Sequence, residues 1–175
     1  IENNNRRIAI LEKMAEEIYR EWFVRLRFPG HEKVKVVKEV PEGWEVKKVG
    51  EIGKVITGKT PPTNNQSFYS GEYPFIKTPD MHGNLFILET EETLSEDGMR
   101  FQASQTIPKG SVCVSCIGTG GIVSATTEMS QTNQQINSVV PFDEKTFCWT
   151  FFFFEIIKRN DSNVRHYRHH NDEFK

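Results

Sequence analysis

A regular apolar stripe marks the first segment of the chain as a helix that needs a partner. Apolar residues recur in alternating steps of three and four positions, at Ile8, Leu11, Ala15, Ile18 and Trp22. This spacing is typical of a coiled-coil seam, in which one helix face packs against another helix. Pro29-Gly30 predicts the end of the helix. Because a lone helix of this length is only marginally stable in water, we predict a docking helix over residues 1–30.

The pattern leaves the partner of this seam open. The helix packs on its own domain, on another chain, or on a second copy in a homodimer. Nothing at the start of the sequence resembles a signal peptide, and no apolar run is long enough to cross a bilayer. The sequence therefore predicts a cytoplasmic protein with no membrane partner.

Helical periodicity is lost after Pro29, and the rest of the chain has the pattern of an α+β domain. Residues 31–40 predict a linker or an edge strand, and short apolar runs separated by Gly, Pro, Asn and Ser follow. These runs predict strands at Trp44–Val49, Gly53–Thr57, Tyr73–Thr78, Phe86–Leu88, Ser111–Ile117, Gly121–Ser124 and Asn137–Pro141, with a mixed apolar run at Phe147–Ile157. Irregular strand spacing and long polar loops favour a mixed, mainly antiparallel sheet over residues 41–157.

The first polar loop, residues 57–62, contains a basic residue between hydroxyl groups. Its Gly58-Lys59-Thr60 resembles part of a nucleotide-binding loop, but Pro61-Pro62 prevents the helix that such a loop requires. The net charge of −2 gives no general preference for nucleic acids, so a basic face depends on a few residues. We predict that Thr57, Lys59 and Thr60 hold a DNA phosphate.

Three further loops have side chains or backbone groups suited to a polar ligand. In the second loop, residues 73–80, we expect Lys77, Thr78 and Asp80 to read a base or contact a phosphate. The alternative is that Asp80 caps the following turn. In the third, the backbone of Gly118 and Thr119 meets a phosphate, or the glycines form a tight hairpin.

The fourth loop, residues 131–137, is rich in side-chain amides. Asn133 and Gln134 have the chemistry that pairs with adenine in the major groove. Amides in an irregular loop also satisfy backbone groups, and we favour that structural role for at least one of Asn133, Gln134 and Gln135.

The sequence predicts neither catalytic residues nor a metal site. The five histidines have no nucleophile or carboxylate partner at a meaningful spacing, and no carboxylate cluster suits a nuclease metal. Cys113-x-x-Cys116 has zinc-ligand spacing, but no second Cys or His pair follows it at a usual distance. We interpret both cysteines as buried thiols.

The order of these motifs resembles that of type I restriction–modification specificity subunits. The similarity covers about Asn5 to Phe154, and the matching segments are Asn5-Arg6-Arg7-Ile8, Ile18-Tyr19-Arg20-Glu21-Trp22-Phe23, Pro41-Glu42-Gly43-Trp44, Thr57-Gly58-Lys59-Thr60-Pro61, Tyr73-Pro74-Phe75-Ile76-Lys77-Thr78-Pro79-Asp80, Ile117-Gly118-Thr119-Gly120-Gly121 and Asn133-Gln134-Gln135-Ile136-Asn137. The resemblance implies a conserved spacer helix over 1–30, a linker over 31–40 and a target-recognition domain over 41–157. It also implies a truncated domain, with a polar tail over 158–175 that is disordered or foreign to the family.

The resemblance also implies a function and a set of partners. The expected function is sequence-specific recognition of double-stranded DNA without catalysis. The expected protein partners are methyltransferase subunits, which bind S-adenosylmethionine, and a motor–nuclease subunit, so the chain itself needs no cofactor. The alternative is a protein-interaction fragment that docks a methyltransferase subunit through its helix and no longer binds DNA.

Overall fold

The computed structural model describes residues 2–45 and 47–143. The chain divides into two compact units, Ile1–Lys47 and Lys48–Lys175. The N-terminal unit holds the predicted docking helix and the predicted linker, and also the segment Pro41-Glu42-Gly43-Trp44. The apolar run at Phe147–Ile157 and the tail over 158–175 lie outside the described residues.

The N-terminal unit begins with the helix that the apolar stripe predicts. Helix α1 spans Glu2–Tyr19 and continues into a π-helical turn at Arg20–Val24. The seam side chains Ile8, Leu11 and Ile18 are 53%, 63% and 48% exposed, whereas Ala15 and Trp22 are half-buried. The apolar stripe is therefore largely uncovered along α1 and partly covered where the helix ends.

An aromatic cluster closes the end of this helix. The ring centroids of Tyr19 and Phe23 lie 4.9 Å apart, and those of Phe23 and Trp44 lie 5.4 Å apart. Phe28 also packs on Trp44, at 5.1 Å. Aromatic pairs at such spacings add to the free energy gained from burial of their apolar area. Trp44 therefore belongs to the packing of the N-terminal unit.

The predicted strand at Trp44–Val49 is wrong. Gly43 adopts a φ of +89°, and Trp44 donates its backbone N–H to the carbonyl of Pro41 in a turn. The Glu51 carboxylate accepts the backbone N–H of Lys48 at 2.6 Å, and helix α2 begins at the next residue and spans Val49–Ile52. A local side-chain cap thus starts a helix where alternating residues suggested a strand.

Residues 31–40, which the sequence predicts as a linker or an edge strand, form a short hairpin together with Pro41. A 3₁₀ turn at His31–Lys33 precedes strands β1 (Val36–Val37) and β2 (Val40–Pro41), which pair antiparallel. The two residues between the strands have positive φ, +50° at Lys38 and +66° at Glu39. This geometry suits Asn-Gly far better than two residues with long side chains.

We expect Lys38→Asn combined with Glu39→Gly to stabilise this hairpin by about 1 kcal/mol, because residues tolerant of positive φ replace strained ones. Amide hydrogen exchange at Val37 and Val40, which face each other in the register, measures the effect. Glu42→Gly, at a position without positive φ, is the control and should increase exchange. Unchanged protection in the double variant would contradict the prediction.

The C-terminal unit combines short helices with two sheets. Its strands are β3 (Gly53–Thr57), β4 (Tyr69–Ile76), β5 (Phe86–Ile87), β6 (Glu92–Leu94), β7 (Val112–Ser115), β8 (Val123–Thr126), β9 (Gln131–Thr132) and β10 (Ile136–Pro141). Besides α2, its helices are α3 (Thr78–Met81) and α4 (Glu96–Phe101), with 3₁₀ turns at Gln66–Phe68 and Ala103–Gln105.

The two sheets confirm the predicted α+β class with a mixed, mainly antiparallel arrangement. One sheet has the order β3-β10-β7-β8-β5, and the other has the order β6-β4-β9. All pairs are antiparallel except β5 with β8 and β4 with β9. A core of buried apolar side chains joins both sheets and α3, and it includes Ile56, Ile76, Met81, Ile107 and Ile136. Among the described residues, no helix has the length and apolar character needed to cross a membrane.

Candidate functional site

The four polar loops meet at one place in the C-terminal unit. The meeting point is the segment 131–137, which we call the amide loop. It includes β9 and leads into β10, the central partner of β3 and β7. Because those strands lead into two of the other loops, the sheet itself brings the sequence motifs together.

The first loop packs its backbone directly on the amide loop. Gly58 donates its N–H to the carbonyl of Ile136 at 3.0 Å, and Lys59 donates to the carbonyl of Thr132 at 2.9 Å. A Cβ atom at Gly58 would lie 2.1 Å from the carbonyl oxygen of Asn133 and 2.2 Å from Oγ1 of Thr132. Only glycine therefore allows this approach.

The second loop is joined to the amide loop through backbone and side-chain atoms. Asn133 donates its backbone N–H to the carbonyl of Ile76 at 3.0 Å. The Thr78 hydroxyl, which is buried, donates to Oε1 of Gln135 at 3.4 Å. Thr78 thus contributes to the support of the site, and its predicted contact with DNA stays a prediction.

The third loop is joined through Gln135. Cys116 donates its backbone N–H to the carbonyl of Gln135 at 2.8 Å. Ser115, at the end of β7, donates its hydroxyl to the carbonyl of Thr119 at 2.6 Å and accepts the N–H of Ile122 at 2.9 Å. The exposed backbone around Gly118 and Thr119 is therefore held in a defined turn.

Within the amide loop, the three consecutive amides have different roles. Asn133 is 8% exposed, and its Oδ1 accepts the backbone N–H of Gln135 while its Nδ2 donates to Gln135 Oε1, both at 3.1 Å. The Asn133 side chain therefore holds the loop in shape, as predicted for at least one of these amides. Gln134 is exposed, and its Oε1 accepts the Thr60 hydroxyl at 2.6 Å.

Two charged residues of the second loop are already engaged within the protein. The Asp80 carboxylate accepts the backbone N–H groups of Lys77 at 2.7 Å and Glu91 at 3.0 Å, which is the capping role considered from the sequence. The Lys77 ammonium lies 2.5 Å from a Glu92 carboxylate oxygen and 5.9 Å from the centre of the Phe75 ring. A DNA contact by Lys77 would compete with this ion pair.

Lys59 and Thr57 face solvent at the same loop cluster. Both are exposed, and Thr57 pairs with Asn137 at the end of β3. Within residues 2–45 and 47–143, no carboxylate pairs with Lys59. Lys59 is therefore the cation of this cluster best placed to meet a phosphate.

The sequence of the C-terminal unit matches a known family. The family model described as "Type I restriction modification DNA specificity domain" matches residues 41–173. The chain belongs to this family. The match covers all four loops and extends beyond the described part to residue 173.

Curated relatives and a solved structure agree with this assignment. The chain is similar to the HindI specificity subunit of Haemophilus influenzae, with 51% identity over 61% of the chain and 23% of that protein. It is similar to the MjaIX specificity subunit of Methanocaldococcus jannaschii, with 24% identity over 77% of the chain and 32% of that protein. The chain thus spans a quarter to a third of these relatives.

The fold is similar to part of a solved type I restriction–modification S subunit from M. genitalium. The two structures align with a TM-score of 0.63 at 13% identity, over 98% of the chain and 40% of the S subunit. At this identity the likeness concerns the fold alone. It covers a larger share of the chain than either sequence relative does.

Two buried side-chain amides, those of Gln131 and Gln102, stabilise the loop cluster of the specificity domain, and the sequence did not predict this role. Gln131 is fully buried, and its Nε2, which has two hydrogens, lies within hydrogen-bond distance of three acceptors: the carbonyls of Met99 and Gln102 and Oγ1 of Thr106. Gln102 donates its Nε2 to Oε1 of Gln131 at 2.8 Å and to the carbonyl of Lys59 at 2.7 Å. Gln102 lies far from the loop motifs in sequence, so no local pattern indicates its role.

The two cysteines of the Cys113-x-x-Cys116 motif differ from each other. Cys113 is buried, as predicted, and burial raises the pKa of its thiol to about 12. Cys116 is exposed, so the prediction of a second buried thiol is wrong, although desolvation still raises its pKa. Within the described part of the chain, no group of three His, Cys, Asp or Glu side chains could hold a metal ion.

Proposed function

We propose that this chain recognises a DNA sequence for a type I restriction–modification assembly and has no catalytic role of its own. The observation that carries this proposal is the joining of four loops at the amide loop, with Lys59 and Gln134 left exposed on it. An exposed lysine suits a phosphate, and an exposed amide suits a base edge. The names of the curated relatives, which are specificity subunits, support the same function.

The partners belong to the same proposal. The uncovered seam at Ile8, Leu11 and Ile18 is suited to an apolar helix of a methyltransferase subunit or of a second copy of this chain. The methyltransferase subunit would bind S-adenosylmethionine, and a motor–nuclease subunit would complete the assembly. Because the proposed ligand is duplex DNA and the partners act on it, we place the assembly in the cytoplasm.

A titration of the chain with duplex DNA at two salt concentrations tests the proposal. We expect binding that weakens as salt rises, because phosphate contacts release counterions. Affinity independent of salt would contradict a phosphate-led contact. Capture of a methyltransferase subunit without any DNA binding would instead favour the alternative role as a protein-interaction fragment.

We expect Lys59→Ala to weaken binding to all sequences alike and to reduce the slope of log affinity against log salt by about 1. The reason is the loss of one phosphate contact that carries no base information. Lys109→Ala is the matched control, because Lys109 is exposed and precedes β7, at the end of that strand opposite the third loop. Equal effects of the two substitutions would contradict the placement of the interface.

A further inference from the structure

We propose that Gln134 reads an adenine in the major groove and that Thr60 is a positioning residue that orients its amide. This inference rests on the proposed function and adds a base class and a division of roles to it. It also changes the role of Thr60, which the sequence suggested as a phosphate contact. The argument depends on what each amide and hydroxyl in the loop cluster already bonds.

Gln134 is the amide whose side chain projects from the loop. Asn133 is committed to Gln135 through two hydrogen bonds, and Gln135 accepts hydrogen bonds from both Asn133 and Thr78 at its Oε1. Gln134 is exposed, and within the described part of the chain its side-chain amide is bonded to the Thr60 hydroxyl. The residues on either side of Gln134 are therefore held in place by hydrogen bonds, while its own side-chain amide faces solvent.

The hydrogen bond from Thr60 determines which groups Gln134 can offer. The Thr60 hydroxyl has one hydrogen, which it donates to Gln134 Oε1 at 2.6 Å. One lone pair of Oε1 and both N–H groups of Nε2 remain available. That is the set required by adenine, whose N6 amino group donates and whose N7 accepts. Guanine presents two hydrogen-bond acceptors, N7 and O6, on this edge. One of them would lie opposite Oε1 of the glutamine, which is also an acceptor, so no hydrogen bond could form there.

Both ends of the Thr60–Gln134 contact are held by other residues. On one side, the carbonyl of Lys59 accepts Nε2 of Gln102, and the carbonyl of Pro61 accepts the Tyr69 hydroxyl, each at 2.7 Å. On the other side, the backbone of the amide loop is bonded to the second and third loops. A glutamine fixed before binding loses less rotamer freedom when it meets the base.

The same hydrogen cannot serve a phosphate. A phosphate oxygen only accepts hydrogen bonds, so a Thr60 hydroxyl bound to phosphate would release Gln134. Phosphate contact and amide orientation are therefore exclusive roles for Thr60. They also predict different results, because a lost phosphate contact weakens all sequences alike, whereas a misoriented amide weakens only the sequence it reads.

The test uses the full chain and a target duplex selected from a random pool. Adenines in the target are replaced one at a time by 7-deazaadenine, which lacks the N7 acceptor. We expect one replacement to weaken binding of the unsubstituted chain about tenfold, the size of a good base contact. Gln134→Ala should bind the natural and replaced duplexes equally.

Thr60 is tested with a substitution that removes its hydroxyl and one that restores it. Thr60→Val should lower discrimination at the same adenine roughly fivefold, and Thr60→Ser should keep it. Added to Gln134→Ala, Thr60→Val should have no further effect, since the contact it supports is gone. Thr63→Val, an exposed threonine of the same loop region, is the control and should leave discrimination unchanged.

Three results distinguish failure of this inference from failure of the proposed function. A uniform loss for all sequences in Thr60→Val, or adenine dependence that survives Gln134→Ala, would overturn this inference and leave the proposed function standing. Absence of any sequence preference in the unsubstituted chain would overturn the proposed function and this inference with it. Thermal unfolding of each variant confirms that a lost preference does not reflect a lost fold.

Discussion

Gly58→Ala is expected to lower the free energy of unfolding of the C-terminal unit by about 3 kcal/mol, the upper end for a side chain forced into a packed site. The new Cβ would meet the carbonyl oxygens of Asn133 and Thr132 at 2.1 and 2.5 Å, and neither is the end of a flexible side chain. The first loop and the amide loop must therefore separate. Thr60 would then lose its bond to Gln134, and sequence preference should disappear together with stability.

Gly50→Ala provides the control for this substitution. Gly50 lies in helix α2 of the same unit, has open space where a Cβ would be, and has no positive φ. Alanine is the better helix former by roughly 1 kcal/mol, so stability should be unchanged or slightly higher. Urea unfolding and DNA titration of both variants make the comparison. Equal stability of the two variants would show that the loops do not pack as described.

Gln131→Leu should have a similar cost, about 3 kcal/mol, for a different reason. Leucine fills most of the same space but removes the buried amide that joins Met99, Gln102 and Thr106. It also removes the oxygen that accepts Nε2 of Gln102. Buried polar groups left without hydrogen-bond partners destabilise the fold, because nothing replaces the hydrogen bonds that they make with water in the unfolded chain.

Gln134→Leu is the matched control, because it makes the same exchange at an exposed amide of the same loop. Its effect on the free energy of unfolding should stay within about 0.5 kcal/mol. It should abolish discrimination at the adenine that Gln134 is proposed to read. The two substitutions thus distinguish a side chain that stabilises the amide loop from one that is proposed to contact a DNA base. A larger stability loss at Gln134 than at Gln131 would contradict these roles.

The sequence predicted those parts of the fold that local pattern determines. The strand Gly53–Thr57 has the predicted bounds, and the helix seam and most longer strands were also found. Strands β6 and β9 were missed because they have three and two residues and form only by pairing with β4. Helix α4 was missed although Ser95 caps it, since six residues show no clear apolar period.

The site was predictable as a set of loops but not as an arrangement. Motifs at Gly58, Thr78, Gly118 and Asn133 were each visible, yet only strand order shows that they meet. The difference between Asn133 and Gln134 depends on burial, which neighbouring residue types do not determine. The capping role of Asp80 was one of two alternatives stated from the sequence, but its contact with Glu91 and the ion pair of Lys77 with Glu92 required the structure.

The pairing of β3 with β10 sets an order in which the chain can assemble during synthesis. Among the described strands, β3 lies at the edge of its sheet with β10 as its partner, and the register joins Thr57 to Asn137, near opposite ends of the described domain. The first loop therefore lacks its hydrogen bonds to the amide loop until the ribosome has synthesised and released that segment. Such distant contacts slow folding, because the intervening chain must be ordered before they form. The proposed recognition surface would thus be completed late, when nearly the whole described domain has been made.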